Sequence, residues 1–327
     1  MLRFRFGGRV YRDLRKMILL SGRRAANFHS AGVECSETGN EDGAIENYQK
    51  ALALDPKRGD TLYNLGLIYK YRGDWAKSFD FNRRARELQP DDEATLWNLA
   101  IAATALRDWR TAREVWRSLK IITEDGEGPI NQNRGQTPVR VNADAVPDGV
   151  AEARENRVIE VVWSDCLCPV RSRITNIPTG ATGFRYGDVV LHDGAPAGYR
   201  LNPSGQERAV FNVLELFEPS RFSTYEAIIE AESPESVQEL ERACESLGIE
   251  IEDWTANIRN LCKACSEGRP HEGHDQELNE AVTWSRERRV GFAALDLESL
   301  KDVLGVWAAK PGRKVSSANC TLEAVGL

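Results

Sequence analysis

A step of 34 residues recurs through the first third of the chain, and it leaves few folds open. Pro56 and Pro90 keep the step, as do Gly32 and Gly66, Ala51 and Ala85, Leu62 and Leu96, Leu65 and Leu99, and Asn64 and Asn98. A fixed period of this length signals stacked supersecondary units, none of which buries its apolar face alone. Gly32, Gly66 and Ala100 are small where the two helices of a hairpin approach closely, and Ala44, Ala51, Ala85 and Ala112 are small where one hairpin meets the next. Tyr48 and Trp116 fill the space between. Pro56 and Pro90 end second helices and open the next unit, and Gly39 and Gly73 suit the turn inside a hairpin.

This pattern resembles the tetratricopeptide (TPR) repeat. The first unit runs over 25–58 with Gly32, Ala44, Tyr48, Ala51 and Pro56, and the second over 59–92 with Leu62, Leu65, Gly66, Tyr69, Ala85 and Pro90. The third, 93–124, has Leu96, Leu99, Trp116 and Leu119, with Ala100 at the glycine position and no terminal proline. The resemblance implies an all-α TPR superhelix of three helical hairpins over 25–124, with first helices lining a concave groove that takes a peptide or protein partner. Counting by the period, the groove positions are His29, Tyr63 and Trp97, then Asn64 and Asn98 (with Ser30), then Leu67 and Ile101 (with Val33), and Lys70 one turn beyond Leu67. Asparagine both donates to and accepts from a bound backbone, and aromatic rings give large contact area. The competing expectation is that the chain's own linker or sheet region fills this groove. Chaperone-adaptor TPR domains grip a C-terminal carboxylate with basic and Asn residues. Here the matching positions hold His29 and Val33 in the first unit and Ala94 and Asn98 in the third, with only Asn64 in agreement. No carboxylate clamp for chaperone tails is therefore expected.

The flanking segments change character. Residues 1–24 carry Arg3, Arg5, Arg9, Arg12, Arg15, Lys16, Arg23 and Arg24 against the single acid Asp13. That reads as a basic N-terminal tail, either an extension ahead of Met17 or an Arg-rich transit peptide. Residues 125–157 hold Gly126, Gly128, Pro129, Gly135, Pro138, Pro147 and Gly149 and read as a linker. From 158 the apolar period falls to two, in Val158–Trp163, Gly187–His192 and Ala209–Phe217. A small β-sheet or barrel is predicted over 158–217. Over 218–311 a strand-helix-strand then strand-helix order suggests an α+β, ferredoxin-like unit with 253–287 inserted. Its first helix starts at Ser233-Pro234 and its last is capped by Asp296. A tail without structure is predicted for 312–327. Asn176-Ile177-Pro178 and Tyr186-Gly187-Asp188-Val189-Val190, with this unit, resemble a bacterial domain family of unknown function.

One segment has metal-ligand spacing. Cys262, Cys265, His271 and His274 form Cys-x2-Cys-x5-His-x2-His, and the chain has only four histidines. Two thiolates and two imidazoles complete a tetrahedral Zn²⁺ set, and a four-ligand site is structural, with no position left for water. Gly268, Pro270 and Gly273 allow the tight turns of a short chelate loop. The alternative function is a metal-dependent hydrolase or transferase, which needs an open ligand position. Cys166-Leu167-Cys168 has no histidine near it and reads as strand residues. His192 beside Asp193 in a Gly-rich stretch reads as a surface pair. Arg83, Arg84, Arg86, Arg110, Arg113 and Arg117 read as the solvated face of second helices.

Composition closes off other classes. With 43 Lys+Arg against 50 Asp+Glu the net charge is −7, which argues against a phosphate-backbone binder. No apolar run approaches the ~20 residues of a membrane span. Seven cysteines, odd in number and scattered, do not form a secreted disulfide framework, so a reducing cytoplasmic setting is expected. The sequence thus points to a non-enzymatic interaction adaptor or scaffold: a TPR solenoid followed by a zinc-stabilised α+β module.

Overall fold

The computed structural model describes residues 7–143, 158–202, 204–255 and 284–325. The chain divides into two compact units, Met1–Ile130 and Asn131–Leu327.

The first unit is six helices: α1 (Gly7–Glu37), α2 (Glu41–Leu54), α3 (Gly59–Tyr71), α4 (Trp75–Leu88), α5 (Glu93–Ala105) and α6 (Trp109–Ser118). The period is written into their ends. Asn40, Asp74 and Asp108, 34 residues apart, cap α2, α4 and α6, and their side chains accept the N–H of Gly43, Lys77 and Thr111. Ahead of each cap the backbone enters the left-handed region, at Gly39 (φ 76°), Gly73 (φ 70°) and Arg107 (φ 61°). The third turn thus puts an arginine where the first two use glycine, a conformation that disfavours a Cβ. Inside the hairpins a Cβ on Gly32 would lie 2.5 Å from the Tyr48 ring, and one on Gly66 2.4 Å from the Asn82 amide. Helices this close need glycine at the crossing. Residues 7–24, expected as a tail, begin α1: the helix opens at Gly7, well ahead of the first repeat. The arginines of α4 and α6 are mostly surface ion pairs, Arg83 with Asp80 and Glu87 and Arg86 with Glu114. Arg113 differs: it is buried, and its Nε donates to the Glu124 carbonyl at 2.9 Å, tying down the segment after α6.

The second unit holds a closed barrel and an open sheet. The barrel runs β1 (Gln136–Val141), β2 (Glu160–Cys168), β3 (Arg171–Ile174), β4 (Val189–Leu201) and β5 (Glu207–Glu218), each paired with the next. Five strands of alternating direction leave the first and last running the same way, so the closing pair β1–β5 is parallel. Val139, Val141, Val162, Ile174 and Val190 fill the core. The ladder of long β4 on β5 shifts register repeatedly between Val189 and Gly198, and bulges of this kind bend a strand around a barrel. The expected linker 125–157 therefore contains a barrel strand. Pro138 interrupts the strand pattern of β1 in sequence, while the strand's partners lie on β2 and β5.

The sheet is built from β6 (Ser223–Glu230), α7 (Pro234–Glu245), β7 (Glu250–Asp253), β8 (Glu287–Ala294), α8 (Leu297–Ala308) and β9 (Lys314–Leu322). Its order is β7-β8-β6-β9, every pair antiparallel. Tyr225, Ala227, Ile229, Val290 and Phe292 form a core with Leu240, Leu300, Leu304 and Trp307 of the helices. The tail predicted from 312 is corrected: it supplies β9, whose polar sequence carries little strand signal and which gains its conformation from pairing with β6. The Asn176-Ile177-Pro178 stretch docks the barrel on the sheet. Glu252 accepts from the Asn176 side chain (3.0 Å) and the Ile177 N–H (2.7 Å), and Trp254 Nε1 donates to the Ile177 carbonyl (3.0 Å). Trp254 lies against Gly291, where a Cβ would come 2.2 Å from its ring.

Candidate peptide-binding groove

In the first unit the hairpin partners occupy one face of α1, α3 and α5, and the period sets the expected groove residues at matching positions on these helices. Each of the polar ones with a described partner is already held by its neighbours. His29 Nδ1 stands 2.9 Å from Thr61 Oγ1, and its Nε2 3.4 Å from Asp60, which also takes Arg58 at 3.0 Å. Burial pulls the His29 imidazole below its usual range; Asp60 works against this and Arg58 with it. Asn64 Nδ2 donates to the Tyr48 hydroxyl at 3.1 Å, so one amide hydrogen is spent inside the hairpin pair. Trp97 packs edge-on against Trp116, ring centres 5.0 Å apart.

Exposure divides the eight expected residues. His29, Tyr63, Asn64, Leu67 and Trp97 are half-buried. Lys70, Asn98 and Ile101 are buried, at 3%, 5% and 1% exposure, and so do not belong to an open surface. The reason lies in α5: Leu96 and every residue from Asn98 to Thr104 are buried, as expected for a helix apolar all round. The half-buried candidates therefore lie on α1 and α3, with Trp97 alone of them on α5. Sequence reasoning missed Tyr71, 58% exposed at the end of α3 with the Lys70 ammonium 4.4 Å from its ring centre. It also missed the Asp60–Thr61 anchor of His29. Asp60 lies a helical turn before Asn64 on the groove side, and that spacing was the available signal.

The other candidates resolve differently. Cys262, Cys265, His271 and His274 lie outside the described residues. Among the described residues no group of three or more His, Cys, Asp or Glu is arranged to hold a metal ion. Cys166 and Cys168 sit at a register shift of β2, and burial pushes the Cys166 thiol up. His192 is corrected from a surface residue to a barrel residue at 2% exposure. Its Nε2 meets Ser172 Oγ at 3.1 Å and its Nδ1 the Asp193 carbonyl at 2.8 Å, and burial lowers its pKa to about 4. A neutral, enclosed imidazole of this kind is a core residue. No helix among the described residues is long and apolar enough to cross a membrane.

Residues 33–78 match the family model of the TPR repeat, within the six-helix unit, so the chain carries TPR repeat sequence there. No curated protein matches the chain. Among solved structures it is similar to the second TPR of Spaghetti (RPAP3) bound to an HSP90 peptide, at 17% identity and TM-score 0.32, over 34% of this chain and 97% of that one. It is also similar to the first TPR of the same protein bound to that peptide, at 20% identity and TM-score 0.28, over 31% and 82%. A third, the MamA protein, shares 22% identity at TM-score 0.27 over 35% and 66%.

Proposed function

We propose that the chain is a non-enzymatic protein-interaction adaptor whose helical unit holds an extended peptide segment along α1 and α3. The observation that carries this is the half-buried set His29, Tyr63, Asn64, Leu67 and Trp97, of which His29, Asn64 and Trp97 are held by their own neighbours before any partner arrives. Side chains held in place this way lose little freedom on binding. Lys70, Asn98 and Ile101, expected as contacts, act as buried supports. Selection of binders from a displayed peptide library, followed by Tyr63→Ala, Asn64→Ala and Trp97→Ala, tests the reading. Tyr63→Ala and Asn64→Ala should each weaken capture about tenfold or more, as truncated interface anchors do, with little change in melting temperature. Trp97→Ala should lose stability as well, because its ring packs on Trp116. Loss of capture only in step with loss of folded protein would sink the groove.

The same proposal keeps a structural zinc held by Cys262, Cys265, His271 and His274, carried by the ligand spacing alone. Elemental analysis should find about one Zn²⁺ per chain, lost in Cys265→Ser, since bound metal is folding energy. Fully folded metal-free protein would end it. The β-α-β-β-α-β order and the antiparallel strand order β7-β8-β6-β9 support a ferredoxin-like reading of the sheet. His29 and Val33 where the clamp has Lys and Asn, and Ala94 and Asn98 where it has basic residues, support a partner other than a chaperone tail. Cysteine usage supports a cytoplasmic setting.

A further inference from the structure

One edge of the second unit's sheet stands without a described partner. β9 pairs with β6 on one side and with no described strand on the other. From Val315 to Leu322 it carries neither charge nor proline, and every residue from Lys314 to Leu322 is exposed or half-buried. Proteins ordinarily blunt such an edge with charge, proline, bulges or a covering element; β9 shifts register against β6 at Ser316 and at Thr321, which leaves the regular run 317–320 between them. A groove of about 360 Å³ runs beside it between α8 and β9, lined among others by Lys301, Leu304, Gly305, Ala308, Val315 and Ala318. Gly305 is exposed in the interior of α8, and a Cβ there would meet nothing within 4 Å. Glycine weakens a helix interior by about 0.5–1 kcal/mol relative to alanine, so its smallness has no local benefit. Finally, the strand is bracketed by opposite charges: Lys314, whose side chain is 63% exposed and lies 3.1 Å from Glu230 of β6 in a surface ion pair, and the exposed Glu323.

We propose that β9 pairs antiparallel with β9 of a second copy, joining two four-stranded sheets into one. A strand positive at its start, negative past its end and neutral between complements itself only when reversed. Antiparallel pairing sets Lys314 of each copy against Glu323 of the other. The two-fold axis then stands perpendicular to the sheet, which keeps both helix-bearing faces on the same side. The groove beside one β9 therefore opens onto its counterpart, and the two α8 helices approach across the seam at Gly305 and Ala308. Both the backbone groups of the edge and the apolar groove are covered by one contact that the chain can supply itself.

Sedimentation equilibrium on the full chain, in reductant because Cys320 is an exposed thiol, tests this from about 1 to about 100 µM. The expected mass is twice 36.6 kDa at the upper end. Gly305→Glu should raise the dimer dissociation constant at least about tenfold while the melting temperature of the monomer holds or rises. Lys314→Glu and Glu323→Lys should each weaken the dimer, and the double exchange should recover it. A monomer throughout the range, which would leave the edge to a strand from a different protein, overturns the proposal. So does a dimer that none of these variants moves.

Discussion

In the helical unit the decisive contacts join near neighbours in the chain: Gly32 meets Tyr48 and Gly66 meets Asn82, 16 positions on in each case. In the sheet unit they join distant ones: Val139 of β1 pairs with Phe211 of β5, and Thr224 of β6 with Leu322 of β9. A local contact can be repeated by copying a stretch of chain, and its residue types then recur at a fixed step. A distant contact is made once and leaves no echo elsewhere. Damage should accordingly spread differently, since a repeat leans on its flanking repeats whereas a barrel strand leans on the closure of the whole ring.

The largest expected effect is in the helical unit. Trp116 is fully buried and meets the Trp97 ring edge-on, in the last hairpin. Trp116→Ala should cost about 3–5 kcal/mol, the range for deleting a buried aromatic, read as a lowered urea midpoint of the helical ellipticity. Its Nε1 is buried with no partner in the structure, so Trp116→Phe should cost far less. Equal losses in the two variants would mean that the indole nitrogen has a role the packing does not explain.

Acid should next separate the units. His192 in the barrel has its pKa lowered to about 4, chiefly by burial and against the pull of Asp193. Folded below its unfolded value near 6.5, it gives stability that is present above pH ~6.5 and lost as pH falls through 4, about 3 kcal/mol by that point. His29 in the helical unit is shifted in the same direction, but Asp60 opposes the shift there and the ring is only half-buried. Denaturant midpoints followed between pH 7 and 4 should therefore fall more steeply for wild type than for His192→Gln, with His29→Gln changing the slope less. Identical slopes in wild type and His192→Gln would refute the assignment.

Legibility followed the same divide. Pro56, Pro90, Gly39 and Gly73 mark helix ends in the sequence because they act on the backbone next to them, and all four fall in turns between the observed helices. Within the sheet unit the helix starts at Pro234 and Asp296 were readable for the same reason. β1 and β9 were not, since Pro138 and the run Ser316–Asn319 gain strand conformation only from partners far along the chain. Among the candidate groove residues the period set His29, Tyr63, Asn64, Leu67 and Trp97 at matching helix positions, and these five are half-buried. It could not tell that Lys70, Asn98 and Ile101 would be covered, because burial depends on what else packs there rather than on position within the repeat.

The period also hides an exception, and it carries the smallest expected effect. Positions 48, 82 and 116 are equivalent, yet they hold Tyr48, Asn82 and Trp116, so the middle hairpin has an amide where its neighbours have rings. Asn82 is fully buried and its Nδ2 donates to the Ser78 carbonyl (2.8 Å) and to Ser78 Oγ (3.3 Å), but its Oδ1 has no partner. Ser78 keeps a bond of its own to the Gly66 carbonyl at 2.8 Å. Leucine has nearly the branching of asparagine and would remove the orphaned acceptor, while Ser78 would remain satisfied through Gly66. Asn82→Leu should therefore stabilise the helical unit by about 1 kcal/mol, at the low end of the cost of a buried unsatisfied group. A higher urea midpoint of the helical ellipticity is the expected reading. A lower one would mean that the flat amide is required for α3 and α4 to approach at Gly66, where the gap to Asn82 is already closed to a Cβ. The middle repeat would then hold together by polar fit where its neighbours use aromatic packing, and equal positions in the sequence would not be equal in the structure.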